Sequence, residues 1–295
     1  MTNKRFSEIL KAIYWKRNPE GIKSDFGKTL IIGSSLPYPS ATRIAALFSS
    51  LSGTGYTSLC VPKVIYPLAA SRVSLNRVFS PWCLEDLQSE EKNSKKKTLD
   101  GYSSLLFGNG IEISEKNLRL LEDILTLYHG TLLIDASGIR RFKEILDSGF
   151  HGPFSPKRIL LTPHLGEART LFGLSLPSRN PQDYAKEAQS FSRQHHVRIL
   201  LKSFSSLLVT EKERIPSSYL PCSLLGKAGS GDGLSGYLAG LLSFAGSLMS
   251  KEEVILFGDQ RIHLAAERKA EEISPAIGSI LDLPSARKQI IQEGK

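Results

Sequence analysis

The chain reads as an α/β protein with a mostly parallel central sheet and helices on both faces. Two observations predict this. Short apolar runs at 29–32, 103–107 and 131–134 each end in Gly, Ser or Asp, with helical patterns between them. Strands apolar throughout are buried on both faces, as in a parallel sheet whose site lies at the carboxyl ends. The second observation is a glycine-rich turn, Lys227-Ala228-Gly229-Ser230-Gly231-Asp232-Gly233-Leu234, opening a long apolar helix. Glycines let backbone approach a ligand closely, and the free N–H groups and helix dipole favour an anion.

Taken in order, apolar residues at helical spacing over 6–15 predict a surface arm, part of an N-terminal helical segment within residues 1–22. Residues 29–35 predict a buried strand giving way to a βα turn. Ser40 is placed to cap a helix over 41–52 that Gly53-Thr54-Gly55 ends, and 56–61 reads as a second strand. From 62 to 101, Pro and charge break the pattern into short pieces. Within it Lys95-Lys96-Lys97, following Glu90-Glu91 among Asn and Ser, reads as a solvated loop. The strand over 103–107 enters Gly108-Asn109-Gly110, and Ser114 caps a helix over 114–128. Strands over 131–134 and 158–161 end at Asp135 and at Thr162-Pro163-His164. Helices over 166–172 and 183–195 follow. A strand over 197–201 ends at Lys202, an antiparallel strand spans 206–210, and helices begin at Asp232 and cover 252–272. No internal repeat or linker divides the chain, so residues 1–295 read as one domain.

Composition narrows the function. The hydrophobic fraction of 41% and charged fraction of 23% are those of a soluble globular protein. The net charge of +9 is spread along the chain, which argues against a nucleic-acid partner while favouring anionic small molecules. Cys60, Cys83 and Cys222 have no ligand-like spacing and predict reduced thiols in a cytoplasm, with no disulfide framework or zinc site. The first seventeen residues lack the apolar core of a secretion signal, and 234–249 is too short and interrupted to span a membrane.

Three strand or turn positions carry potential chemistry, each with a plain structural alternative. Asp232 sits in the first turn of a helix, where it either serves the dipole or works beside a phosphate. Lys202 ends a strand, where it either reaches a nucleotide phosphate or lies exposed at the surface. His164, with Glu167 one turn on, either caps a helix or lines a site.

Two segments together resemble the signatures of the NAD(P)H-hydrate dehydratases: Thr162-Pro163-His164-Leu165-Gly166-Glu167 and Gly229-Ser230-Gly231-Asp232-Gly233-Leu234-Ser235-Gly236. The usual forms in that family are T-P-H-P-G-E and G-T-G-D-x-L-x-G. Pro39-Ser40-Ala41, Gly108-Asn109-Gly110, Ile134-Asp135-Ala136 and the segment from Lys202 to Ser206 match further family elements in order. Ser24 and Ser203 stand where the family has glycine, and Asn109 where it has proline. The resemblance runs from Lys23 to Pro284.

The resemblance implies a ribokinase-like three-layer sandwich without the epimerase domain that some members carry. The implied activity is ADP- or ATP-dependent dehydration of NAD(P)H hydrate, by phosphorylation of the ring hydroxyl and loss of phosphate. By the same analogy Asp232 is catalytic, and it lines the hydrate with Ala41, Gly110 and His164. Lys202, Ser203, Phe204, Ser205 and Ser206, with Gly229, Ser230 and Gly231, border the nucleotide and its phosphate. Mg²⁺ is expected with the nucleotide, its ligands unassigned, and relatives imply a homo-oligomer. A carboxylate at a helix start is expected to stay ionised, acting more as a positioner than as a strong base. The alternatives are a vitamin-precursor kinase of the same fold, or a divergent non-catalytic member.

Overall fold

The computed structural model describes residues 3–14, 17–70, 80–150, 158–175, 177–217 and 222–272. Trp15, Pro221 and the last stretch of the resemblance, 273–284, lie outside them. Helix α1 (Asn3–Tyr14) buries Phe6, Ile9, Leu10 and Ile13, and Phe6 packs on Phe257 with ring centroids 5.0 Å apart. The expected surface arm is therefore docked against the body through its apolar stripe.

Strand β1 (Lys28–Ile32) leads through a tight turn to α2 (Ala41–Ser52), and β2 (Tyr56–Val61) follows. Ser40 holds the N-cap position of α2 without a side-chain bond. Instead Ser34 Oγ accepts from the Thr42 N–H at 3.3 Å and pairs with the Thr42 hydroxyl at 2.8 Å. The segment after β2 contains α3 (Tyr66–Ala70), β3 (Ser80–Cys83), α4 (Leu84–Ser89) and α5 (Lys92–Asp100).

The lysine run thus lies on a helix, and Lys95 is buried with Nζ 2.6 Å from Asp123 Oδ2. Burial of a lysine is tolerated where a carboxylate meets its ammonium; charge density alone misreads this run as a loop.

Strand β4 (Ser104–Phe107), α6 (Glu115–Leu127) and β5 (Thr131–Ile134) match the reading, and the Ser114 hydroxyl caps α6 by accepting from the Asn117 N–H. Helix α7 (Ser137–Asp147) has no counterpart in the sequence analysis. It buries Ile139, Phe142 and Ile145, but its entry through Ala136, at φ +48°, offers no capping residue to announce it. Then come β6 (Ile159–Leu161), α8 (Leu165–Phe172), α9 (Ala185–His195), β7 (Arg198–Leu201) and β8 (Leu207–Val209). The short edge strand β9 (Arg214–Pro216) also escapes the reading, being three residues long and ending in proline. Helices α10 (Ser230–Leu242) and α11 (Lys251–Glu272) complete the described chain.

Among the described residues nine strands form one sheet, in the order β3-β2-β1-β4-β5-β6-β7-β8-β9. Pairing is parallel from β3 to β7, and β8 and β9 are antiparallel. Alternate strand residues divide the core in two, as the period of two requires. Ile31, Leu59, Leu106, Leu133 and Leu200 join α1, α2, α10 and α11 on one face. Leu30, Ile32, Leu105, Phe107, Ile134 and Ile199 join α4 to α9 on the other. Helix, sheet and helix make three layers.

Helices α2 and α10 lie in backbone contact: a Cβ at Gly236 would fall 2.0 Å from the Ala45 carbonyl oxygen. That approach seats α10 deeply on the sheet and carries its N-terminus to the carboxyl ends of the strands. Among the described residues no helix is long and apolar enough to cross a membrane. Cys60, Cys83 and Cys222 are free thiols.

Candidate active site

Ile32, Phe107 and Ile134 sit side by side in register, so the chain leaves β1, β4 and β5 at one level. The residues just beyond are Ser34, Asn109 and Asp135. Neighbours β1 and β4 are non-consecutive, and such a reversal opens the crevice where open α/β sheets bind ligands. Gly108 allows the exits to crowd together: it has φ +121°, and a Cβ there would meet the Asp135 carbonyl oxygen at 2.1 Å.

From β6 and β7 come His164 and Lys202, whose backbones form an isolated parallel bridge, the Lys202 N–H donating to the Pro163 carbonyl at 2.8 Å. Lys202 Nζ reaches across to Asp135 Oδ1 at 2.6 Å. It also lies over the glycine turn, since a Cβ at Gly231 would be 3.3 Å from Nζ. Burial acts to lower the Lys202 pKa, but Asp135, Glu167 and Asp232 together hold it above the usual lysine value.

Asp232 sits in the first turn of α10, after Gly229 at φ +90°. Its Oδ1 accepts from Asn109 Nδ2 at 2.6 Å. Burial pushes its carboxyl up to about 6; Asp135 and Glu167 add to the push, while the Asn109 donor and Lys202 oppose it. With that pKa the carboxylate is still mostly ionised at neutral pH, as expected, but its basicity is higher than a helix start alone implies. Loss of water and two nearby carboxylates outweigh the helix N-terminus, and the group is tuned close to where a general base works at neutral pH.

His164 caps α8 reciprocally with Glu167. Its Nδ1 accepts from the Glu167 N–H at 3.1 Å, and its own N–H donates to Glu167 Oε2 at 2.9 Å. With Nδ1 an acceptor, neutral His164 carries its proton on Nε2, which lies 3.4 Å from Glu167 Oε1. Burial raises the Glu167 pKa, with Asp135 adding and Lys202 and His164 opposing.

A cavity of about 720 Å³ opens beside this group, lined by His164, Lys202, Phe204, Ser230, Gly231 and His263 among others. That size suits a nucleotide-sized ligand.

A model of the NAD(P)H-hydrate dehydratase family matches residues 29–277, the greater part of the chain. The chain belongs to the NAD(P)H-hydrate dehydratase family. Its relatives include the ADP-dependent (S)-NAD(P)H-hydrate dehydratases of Nitrosopumilus maritimus and Staphylococcus aureus. The first is 28% identical over 80% of this chain and 79% of the relative; the second is 24% identical over 93% and 94%. It is also similar to bifunctional NAD(P)H-hydrate repair enzymes, such as that of Methanopyrus kandleri at 25% identity over 79% of the chain, but spans only 44% of that relative's length. Among solved structures, an ADP/ATP-dependent NAD(P)H-hydrate dehydratase from Bacillus subtilis, co-crystallised with ATP and Mg²⁺, superposes with a TM-score of 0.77. It is 20% identical, over 98% of this chain and 97% of that one. A ribokinase-like superfamily protein from Enterococcus faecalis reaches 0.80 at 19% identity, covering 98% and 94%. The fold is ribokinase-like.

Within this family fold the expected site residues fall into two groups. His164, Lys202, Ser203, Phe204, Ser206, Ser230 and Gly231 line the cavity. Ser205 and Gly229 shape its borders: the Ser205 N–H donates to Ser203 Oγ at 3.1 Å, and Gly229 makes the left-handed entry to α10. Ser203, in a glycine's place, folds its hydroxyl back onto its own loop, donating to the Ser205 carbonyl at 3.0 Å.

Ala41 and Gly110 form the second group, at the crevice between β1 and β4. A Cβ at Gly110 would lie 2.9 Å from Ala41 Cβ. Asn109 and Asp135 complete the site and were not singled out as functional in the sequence. Their signal was membership of matched elements at strand exits, Gly108-Asn109-Gly110 after β4 and Ile134-Asp135-Ala136 at the end of β5, without a role attached to either residue.

Among the described residues no cluster of three or more His, Cys, Asp or Glu is placed to hold a metal. The three carboxylates of the site already surround an ammonium. The residues present therefore do not form a magnesium cage, and any Mg²⁺ would come bound to nucleotide phosphates, which with water are its usual ligands.

Proposed function

We propose that this protein restores hydrated NAD(P)H to NAD(P)H, using ADP or ATP, supplied as its magnesium complex, as phosphoryl donor. The observation that carries the reading is Asp232: a half-buried carboxylate with its pKa raised to about 6, at a glycine-opened helix start, beside Lys202 and a nucleotide-sized cavity.

The chemistry follows from poor and good leaving groups. Hydroxide does not leave the reduced ring readily, whereas a phosphate ester does once the ring nitrogen donates its electron pair. Asp232 takes the proton of the ring hydroxyl as its oxygen attacks the terminal phosphorus, and the nucleotide departs one phosphate shorter. Phosphoryl transfer through a loose transition state asks for positioning and charge neutralisation. Lys202 and the first-turn N–H groups of α10 supply both. Elimination then breaks the carbon–oxygen bond, phosphate leaves with the bonding pair, and a proton is lost from the neighbouring ring carbon.

The crevice holding Ala41 and Gly110 takes the hydrate on one side of Asp232 and the cavity takes the nucleotide on the other, so His164, expected to line the hydrate, stands on the cavity wall instead. Three free thiols support a reducing cytoplasm as the setting. Assembly into a homo-oligomer comes with the family resemblance.

The test is recovery of NADH absorbance from NADH hydrate, with ADP and ATP run in parallel. One phosphate released per NADH regained is expected. A stable phosphorylated product would point to a small-molecule kinase instead, and no turnover with either nucleotide would sink the reading.

A further inference from the structure

Asn109 follows β4 at the crevice and is fully buried. Its Nδ2 faces three acceptors: Asp232 Oδ1 at 2.6 Å, Ser235 Oγ at 3.1 Å and Asp135 Oδ2 at 3.3 Å. A primary amide has two hydrogens. The short contact takes one, and the other is shared by a hydroxyl and a second carboxylate. The reverse orientation would set Oδ1 against two carboxylates, so the neighbours dictate which way the amide faces. Oδ1 is meanwhile buried without a hydrogen-bond partner among the described residues. The side chain is thus held by its donor end alone, aimed at the carboxylates.

The backbone reinforces this aim. The Asn109 carbonyl accepts from the Ser34 N–H at 2.8 Å, fixing the residue against the neighbouring strand exit. Ser235 Oγ donates to the Asp232 carbonyl at 3.2 Å, so the amide's second partner belongs to the same turn of α10 as its first.

We propose that Asn109 is the positioning residue of Asp232. By donating to Oδ1 it fixes the rotation of the carboxylate and leaves Oδ2 to meet the hydroxyl of the substrate. The identity of that substrate rests on the dehydratase reading, but the clamp itself does not.

Four charged groups share this space: Asp232 on α10, Asp135 beyond β5, Lys202 beyond β7 and Glu167 on α8. Lys202 is the cation among them, and its short bond goes to Asp135. The closest donor to Asp232 is therefore the uncharged Asn109 amide. A donor to the ionised carboxylate favours that form, so Asn109 opposes burial and the two other acids and keeps Asp232 able to accept a proton near neutrality.

The experiment has one arm that needs no turnover. In the wild-type protein labelled at side-chain amides, the Asn109 NH₂ resonances are followed through a pH titration by NMR. They are expected to shift with the ionisation of Asp232, and the shift is expected to vanish in Asp232→Asn. Asn109 resonances indifferent to Asp232 would overturn the proposal, whether or not the protein dehydrates NADH hydrate. The second arm compares Asn109→Ala and the space-filling Asn109→Leu with wild type. Loss of the clamp is expected to lower kcat about ten- to a hundredfold, with the nucleotide KM nearly unchanged. The acid limb of the pH–rate profile should move to higher pH. A merely structural role leaves that limb in place, and an unmoved limb with unchanged kcat in the folded variants refutes positioning.

Discussion

Lys202 Nζ lies 2.6 Å from Asp135 Oδ1, and the two side chains are only 15% and 2% exposed. The pair locks the exit of β7 to that of β5 across the intervening β6, and it holds the ammonium over the glycine turn of α10. A buried ion pair contributes little net stability, yet losing one partner strands the other charge. Lys202→Met is therefore expected to destabilise the protein by about 3–5 kcal/mol in urea unfolding. Adding Asp135→Asn should recover much of that loss. On the proposed reading, dehydratase turnover should stay low in both variants, because the cation proposed to meet the phosphate is gone. Equal stability losses in the single and double variants would show that the pair is not the cause.

Asp232 gives a pH signature in stability as well as rate. Its folded pKa of about 6 lies above the ordinary aspartate value of 3.8. Between those values the native state binds more protons than the unfolded chain, so this group's contribution falls as pH rises through the window. Asp232→Asn removes the term. The variant's stability relative to wild type should be about 2–3 kcal/mol more favourable at pH 8 than at pH 4. Its turnover should be abolished at both. Wild-type activity should decline below pH 6 as Asp232 is protonated. A stability difference that does not change with pH would place the Asp232 pKa at its ordinary value.

The layout of strands was legible because a parallel sheet buries both faces. Apolar runs such as 131–134 and 197–201 then stand out against polar flanks. The glycine turn and the His164 segment were legible because each is local, its residues adjacent in sequence. Asn109 and Asp135 were legible only as members of matched elements, since their meeting with Asp232 and Lys202 spans separations of 123 and 67 residues. The same limit explains Lys95: its partner Asp123 is one helix away in space and 28 residues along the chain. Asp232 shows the complementary failure. Its place at a helix start suggested weak basicity, but its pKa is raised by burial and by acids arriving from β5 and α8.

His164 both caps α8 and stands on the cavity wall, and one substitution pair can separate the consequences of the two. As the cap of α8 it contributes through Nδ1, and His164→Ala should cost about 1 kcal/mol in thermal or urea unfolding. Asn is a strong N-cap, so His164→Asn should restore that stability. If the imidazole also meets ligand, as its place on the cavity wall implies, both variants should raise KM alike. Full recovery of KM with the Asn cap would reduce His164 to a helix cap.

The placement of Asp232 depends on a contact far from any chemistry, the backbone approach of α10 to α2. A Cβ at Gly236 would lie 2.0 Å from the Ala45 carbonyl oxygen and 2.5 Å from Ala45 Cα, both backbone atoms that no side-chain rotation can clear. Gly236→Ala must therefore separate the two helices or shift α10 along the sheet. Either movement opens the core shared by Ala45, Phe48, Tyr237 and Leu238. The expected cost is about 3 kcal/mol or more, read as a lowered urea midpoint. Protein that remains folded should also lose turnover, because a displacement of about 1 Å at the start of α10 takes Asp232 out of line with the phosphoryl group. Gly231→Ala offers the contrast. Its Cβ would meet only the Lys202 ammonium, at 3.3 Å, a side-chain end that need give by no more than a few tenths of an ångström while keeping its bond to Asp135, so stability should change by less than about 1 kcal/mol while the nucleotide KM rises. Should Gly236→Ala prove as stable and active as wild type, the close helix pair would not be what positions the turn that carries Asp232.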